Sequence, residues 1–212
     1  MSDRRAGFSV QPLFAAAFAD ADRASWIGLR AAAVLFLTTL TAAAAQVSFP
    51  LPFTPVPFTL QPVVVLVGGA VLGPRLGMLS QLLYLGAGAM GLPVFAASPV
   101  LPQGAGRLLG PTAGYLLSYP VAAFVTGWLA ERGFDRRYST SVLAMLAGLA
   151  IIFAGGVSWL MIVAPQLGFP ATLDAFDAGF TPFVLADVAK VLVAGAALPA
   201  LWRFTGLGRR GR

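Results

Sequence analysis

The sequence contains no cysteine, no histidine and only one lysine, Lys190. The missing cysteine and histidine exclude disulfides, thiol nucleophiles, zinc sites built from thiolates and imidazoles, and histidine acid–base chemistry. The lysine stands in ADVAKV, not in a phosphate-binding P-loop, and no G-x-S-x-G motif occurs. We therefore expect no metal site, no bound cofactor, no ATP site and no enzymatic activity.

Charge is also scarce. Charged residues make up 10% of the 212 residues, hydrophobic residues make up 58%, and the mean hydropathy is +0.83. Ordinary soluble domains are about 25% charged, so this composition predicts an all-α, multi-pass protein of the cell membrane. The net charge of +6 arises from arginines between and beside the apolar segments. That distribution is typical of membrane topology and argues against a nucleic-acid partner.

Six apolar segments approach the roughly 20 residues that a spanning helix needs. They are residues 26–47, 59–73, 76–95, 107–130, 141–164 and 181–203. Gly73 and Pro74 separate the second segment from the third, because both residue types interrupt helices. The proline-rich stretch VSFPLPFTPVPF, residues 47–58, cannot form a regular helix, since each interior proline removes a backbone donor. We therefore predict a membrane domain over 26–203, an interfacial cytoplasmic segment over 1–25 and a basic cytoplasmic tail over 204–212.

The charged connections predict the orientation of the chain. The first and third connections, 48–58 and 96–106, carry no charge, and the fifth carries only Asp174 and Asp177. Most basic residues fall in the other connections and at the two ends: Arg4, Arg5, Arg23, Arg30, Arg75, Arg132, Arg136, Arg137, Arg203, Arg209, Arg210 and Arg212. Because basic residues concentrate on the cytoplasmic side, we expect both termini there.

Two basic residues, Arg107 and Lys190, do not fit this topological pattern. Lys190 lies three residues after Asp187 in the last apolar segment, so both side chains share a helix face. A rise of about 1.5 Å per residue places them roughly 9 Å and roughly 14 Å below the outer end of that helix. An unpaired charge at such depth costs about 3 kcal/mol or more, so we expect the pair to face the interior of the bundle.

Three interpretations of this pair stay open: a salt bridge that fixes the helix, a proton or ion relay, and a ligand site. A fixed acceptor beside a fixed donor suits a neutral polar ring, and Arg107 nearby suits a carboxylate. Thr59 and Gln61, in VPFTLQP, and Tyr115, in GPTAGYL, fall at the same predicted outer end. Thr59 is equally typical of a helix cap, and Tyr115 of an interfacial aromatic belt.

Four motifs together resemble the BioY family, the biotin-binding S components of energy-coupling factor transporters. They are VPFTLQP at 56–62, GLPVFA at 91–96, GPTAGYL at 110–116 and PFVLADVAK at 182–190, within a resemblance that covers residues 26–203. Ala113 and Ala186 replace glycines that are usual in the family, a small-for-small change. The resemblance implies a six-helix fold with an outward biotin pocket capped by the proline-rich loop.

The same resemblance implies roles for individual residues. Asp187 would meet a ureido N–H of biotin, with Arg107 and Tyr115 as further contacts. For Lys190 the resemblance leaves two ligand groups open, the ureido carbonyl and the valerate carboxylate. An S component for another vitamin-like ligand, an intramembrane enzyme using Asp187 and Lys190, and a structural assembly factor are the alternatives.

Partners also follow from the resemblance. It implies a transmembrane coupling subunit and a pair of ATP-binding subunits, and it leaves open whether the chain works alone, as a homo-oligomer or only with them. Two stripes of small residues on the first helix are candidate contact faces. One comprises Ala24, Gly28 and Ala32 and the other Thr38 and Ala42, while packing within the chain explains either equally well.

Overall fold

The computed structural model describes residues 11–19, 21–97, 103–163, 166 and 173–205, with backbone only for 173–175. The expectations for Arg4, Arg5, residues 206–212 and the side chain of Asp174 lie outside this range. The helices of the described chain are α1 (Leu13–Ala17), α2 (Arg23–Gln46), α3 (Gln61–Leu72), α4 (Pro74–Ala89), α5 (Ala113–Ala130), α6 (Tyr138–Val163), α7 (Leu173–Gly179), α8 (Thr181–Ala194) and α9 (Ala197–Phe204). A short 3-10 helix, Ala105–Leu109, precedes α5.

The fold is mostly helical, and four described segments are long and apolar enough to cross a membrane. These are α2, α5, α6 and the stretch Phe176–Phe204, while α3 is a shorter apolar helix. Helix α5 lies centrally, packed against α3, α4 and α6. The prediction of a helical membrane protein is therefore confirmed, while six spans and cytoplasmic termini stay predictions.

The predicted boundary between α3 and α4 is confirmed at Gly73. Its φ of 84° lies in the left-handed region that favours glycine, and Pro74 then occupies the first turn of α4, where no N–H is needed. The helices approach closely here, because a Cβ on Gly127 of α5 would lie 2.5 Å from the Gly73 carbonyl carbon. The glycines thus fix both the turn and the helix spacing.

Three predicted helices are shorter or broken in the structure. The helix expected over 76–95 ends at Ala89, and Gly91 follows with a φ of 95°. The helix expected over 107–130 is divided before Ala113, because Pro111 disfavours helical backbone at Gly110. The helix expected over 181–203 is interrupted at 195–196, where Pro199 cannot donate to the carbonyl of Gly195 four residues earlier.

The proline-rich segment is not helical, as predicted, but it contains strand pairing that the sequence did not predict. Strand β1 (Ser48–Phe49) pairs antiparallel with β2 (Phe58–Thr59), so the segment folds back on itself before α3. The Thr54 hydroxyl donates to the carbonyl of Ala178 at 2.7 Å. This hydrogen bond ties the loop to the C-terminal helices.

Candidate ligand-binding site

A cavity of about 620 Å³, including its open mouth, lies between the proline-rich loop and the starts of α3, α5 and α8. Five of the six predicted site residues line it: Thr59, Gln61, Arg107, Tyr115 and Asp187. The structure therefore brings together side chains from four separate parts of the sequence.

Lys190, the sixth predicted residue, does not line the cavity but stands directly behind it. Its Nζ donates to Asp187 Oδ1 at 2.6 Å and to the Thr59 carbonyl at 2.8 Å. The ammonium also lies 3.5 Å from the centroid of the Phe58 ring, a cation–π contact. The predicted pairing on one helix face is confirmed, and the same ammonium also fixes strand β2 against α8.

Arg107 and Tyr115 are buried and hydrogen-bonded to backbone carbonyls. An Arg107 guanidinium NH₂ group donates to the carbonyl of Ala96, which belongs to the irregular segment after α4. Tyr115 donates its hydroxyl to the carbonyl of Gly179 at 2.7 Å. Because Tyr115 is only 8% exposed, its position is that of a core residue and not of an interfacial belt.

The two polar residues at the start of α3 differ in how their side chains are used. The Thr59 Oγ1 accepts a long 3.4 Å hydrogen bond from the Gln61 N–H, although the helix cap itself falls at Leu60. Gln61 donates from Nε2 to the Tyr84 hydroxyl at 2.7 Å. Thr59 therefore supports the turn into α3, while Gln61 connects the cavity to α4.

Sequence reasoning missed most of the aromatic wall. The additional aromatic residues of the lining are Phe95, Tyr119, Phe153 and Phe183. Tyrosines within apolar segments were a usable signal, since a buried phenol needs a hydrogen-bond partner. The phenylalanines carry no comparable signal, because apolar membrane segments contain them at any position.

The cavity lies at the opposite end of the helices from Arg30 and Arg75. Gln61 begins α3 at the cavity, and Arg75 follows the end of α3. A second cavity is lined by Arg30, Arg75 and Glu131, which brings the start of α2, the α3–α4 turn and the end of α5 to one end of the bundle. The first cavity is therefore remote from these basic groups.

Fold and cavity define a helical membrane protein with an aromatic pocket. A carboxylate and a guanidinium line this pocket, which is distant from Arg30 and Arg75 at the other end of the bundle. Comparison with known families extends this class to a particular one. Residues 20–206 match the model of the BioY family. The chain belongs to the BioY family.

Named relatives and a solved structure agree with this membership. The probable biotin transporter BioY of Pyrococcus horikoshii is 40% identical over 161 residues, covering 76% of this chain and 88% of the relative. The biotin transporter BioY of Rhodobacter capsulatus is 38% identical over 186 residues, 84% of this chain and 95% of the relative. The crystal structure of the S-component for biotin from an ECF-type ABC transporter shares the fold, with a TM-score of 0.73 over 86% of this chain and 95% of that chain at 23% identity.

Proposed function

We propose that this chain captures biotin at the outer side of the cell membrane as the substrate-binding component of an energy-coupling factor transporter. The observation that carries the proposal is the single cavity that Asp187, Arg107 and aromatic rings line together. Biotin has a urea ring with N–H and C=O groups, an apolar thioether ring and a carboxylate, which match these three kinds of side chain. The transporter names of the relatives support the same function and give no support to an intramembrane enzyme.

Asp187 is the proposed acceptor for a ureido N–H. Its Oδ1 accepts from Lys190, and no described residue donates to Oδ2, so Oδ2 is the atom we assign to the ligand. Arg107 suits the valerate carboxylate, because a guanidinium donates to both oxygens of a carboxylate at once. The thioether ring would then pack among Tyr115, Tyr119 and the neighbouring phenylalanines.

Lys190 acts, in this proposal, mainly by holding the site together. An ammonium has three N–H donors, and two of them are used by Asp187 and the Thr59 carbonyl. Only the third is left for a ligand oxygen. The ureido carbonyl is the better partner for this third N–H than the valerate carboxylate. The negative charge of Asp187, next to Lys190, would repel the carboxylate.

The proposed topology has six spans with both termini in the cytoplasm. Helices α2, α3, α4 and α6 provide four spans, the 3-10 helix with α5 provides one, and α8 with α9 provides the last. The cavity then opens outward, because the basic residues at the other end mark the cytoplasmic side. The proline-rich loop covers the outer mouth.

A transmembrane coupling subunit and ATP-binding subunits are the proposed partners that supply energy. Of the two small-residue stripes on α2, the one with Ala24, Gly28 and Ala32 is exposed. A Cβ placed on Gly28 would meet no described atom within 4 Å beyond its own stretch of helix. Thr38, in the other stripe, donates to the carbonyl of Ser80 on α4 at 2.9 Å and so packs within the chain. We therefore assign the Ala24 stripe to the coupling subunit.

Binding of labelled biotin to the purified full-length protein tests the function. We expect saturable binding at micromolar concentration or below, and loss of binding in Asp187→Asn. The matched control is Asp177→Asn, an exposed carboxylate outside the cavity lining that should leave binding unchanged. Equal binding by the parent and Asp187→Asn contradicts the proposed site, and absence of binding by the parent contradicts the function.

A further inference from the structure

Tyr84 on α4 has no exposed surface and stands behind the cavity wall. Its hydroxyl lies 2.7 Å from Nε2 of Gln61 and 3.2 Å from the carbonyl oxygen of Val94. Its ring packs edge-on against Phe95, with 5.4 Å between the ring centroids. Tyr84 therefore links a polar cavity residue to the irregular segment that follows α4.

The two contacts of this hydroxyl fix the direction of its hydrogen bonds. A phenol has one proton, and a backbone carbonyl only accepts, so the proton is donated to Val94. The phenol oxygen must then accept from Gln61, which requires the amide NH₂ to face Tyr84. With the amide reversed, the hydroxyl would donate to Gln61 Oε1, and the carbonyl of Val94 would lose this donor.

The orientation of Gln61 decides what the cavity offers to a ligand. Gln61 is 3% exposed and lines the cavity, and the hydrogen bonds of the described residues include none to its Oε1. Its carbonyl oxygen is thus available to the ligand as an acceptor. Asp187 Oδ2, which no described residue supplies with a donor either, is a second acceptor in the same cavity.

We propose that Tyr84 is a positioning residue that sets the hydrogen-bond polarity of Gln61, so that the cavity presents two acceptors and selects a ligand with two N–H donors. This inference rests on the proposed function, because a cyclic urea such as that of biotin carries two such donors in one ring. The Tyr84 hydroxyl is hydrogen-bonded to Gln61 and to the carbonyl of Val94, and Tyr84 is not a lining residue of the cavity.

The expected consequence is discrimination against a ring in which oxygen replaces one N–H. Such a cyclic carbamate has nearly the same shape as the urea. Its ring oxygen, however, has no proton to donate and turns its lone pairs towards the acceptor oxygen of Gln61 or Asp187. Sites built to hydrogen-bond an N–H reject analogues that lack it, because a buried polar group is left unpaired. Two regioisomers of the carbamate exist, and each tests one of the two acceptors.

Tyr84→Phe removes the hydroxyl and keeps the ring against Phe95. We expect biotin affinity to fall about tenfold, because the amide of Gln61 is then free to reverse. We also expect discrimination against one carbamate regioisomer to shrink, while discrimination against the other, set by Asp187, is unchanged. Titration calorimetry of the full-length protein with biotin and both regioisomers measures these ratios.

Two further variants make the test specific. Tyr138→Phe is the matched control, because it removes a hydroxyl that donates to the carbonyl of Leu192 at 3.1 Å outside the cavity lining. In a Gln61→Met background, Tyr84→Phe should leave discrimination unchanged, since its effect passes through Gln61.

A uniform loss of affinity for all three ligands in Tyr84→Phe would show a merely structural role and overturn the inference. An unchanged regioisomer ratio would overturn it as well, while biotin binding by the parent would leave the proposed function standing. If the parent binds no biotin at all, the proposed function fails first and the inference with it.

Discussion

Replacing Lys190 by methionine tests whether the ion pair is a structural clasp or part of a ligand site. The substitution removes the ammonium from Asp187 at 2.6 Å and from the Thr59 carbonyl at 2.8 Å. Removing one partner of a buried pair costs about 3 to 5 kcal/mol. Because the side chains keep 15% and 9% exposure, we take the lower end, about 3 kcal/mol. For a chain of this size that is about 10 °C in apparent melting temperature.

The double variant Asp187→Asn/Lys190→Met separates stability from recognition. Replacing both charges leaves no unpaired carboxylate, so we expect most of the lost stability to return. Biotin binding should stay about 100-fold weaker, because a neutral amide replaces the charged acceptor. Thermal unfolding in detergent and equilibrium binding of labelled biotin, measured on the same preparations, give both quantities.

The outcomes discriminate between the open interpretations of the pair. A double variant that recovers stability but not binding supports the ligand site. One that recovers both would refute the reasoning and leave the pair as a clasp. Lys190→Met with parental stability would show that the contact to Thr59 and the pairing contribute nothing to the fold.

Four other predictions follow from named contacts. Burial raises the pKa of Asp135, so the folded state holds a proton more tightly than the unfolded state. Melting temperature should therefore rise as the pH falls through that raised pKa towards the ordinary value of a carboxyl group, and Asp135→Asn should flatten this dependence. Trp202→Phe removes the 2.6 Å hydrogen bond to the same carboxylate and should cost about 2 kcal/mol in thermal unfolding. Gly127→Ala places a Cβ 2.5 Å from the backbone of Gly73 and should lower the free energy of unfolding by about 1 to 3 kcal/mol. Gly28→Leu lies in open space, so it should leave stability and biotin binding intact and lower biotin uptake only when the coupling subunits are present. Thr54→Val frees the proline-rich loop from a 2.7 Å hydrogen bond and should raise the biotin dissociation rate about fivefold in stopped-flow; an unchanged rate would mean that this bond does not hold the loop closed.

Local sequence patterns predicted the structural features that are determined by residues close together in the sequence. The Gly73–Pro74 boundary, the non-helical proline-rich segment and the shared face of Asp187 and Lys190 each follow from a few consecutive residues, and the structure contains all three. Most of the polar residues in the cavity lining were also predictable, whereas the apolar ones were not. A polar side chain in an apolar segment needs a partner, and this requirement distinguishes it from its apolar neighbours in the sequence itself.

Contacts between distant segments were not predictable. Lys190 meets Thr59 across 131 positions of sequence, and this contact decides that the ammonium stands behind the cavity and not in its lining. The end of α4 and the start of α5 were missed for a related reason. Residues 91–95 and 107–112 are apolar enough to extend the neighbouring helices. Glycine conformations, prolines and contacts with distant side chains end these helices instead.

The missed helix ends are also what makes the cavity. The backbone carbonyls of a helix accept hydrogen bonds from N–H groups of the same helix. An irregular segment in a membrane protein instead needs donors from other parts of the chain for its buried carbonyls. The segment after α4 obtains them: Tyr84 donates to Val94, Gln103 to Phe95 at 3.1 Å, and Arg107 to Ala96. The donors that permit the helix to stop at Ala89 thus include Arg107, a lining residue, and Tyr84, which orients another. Wall and recognition site depend on the same side chains, so a substitution at either residue should alter the shape of the cavity and its chemistry together.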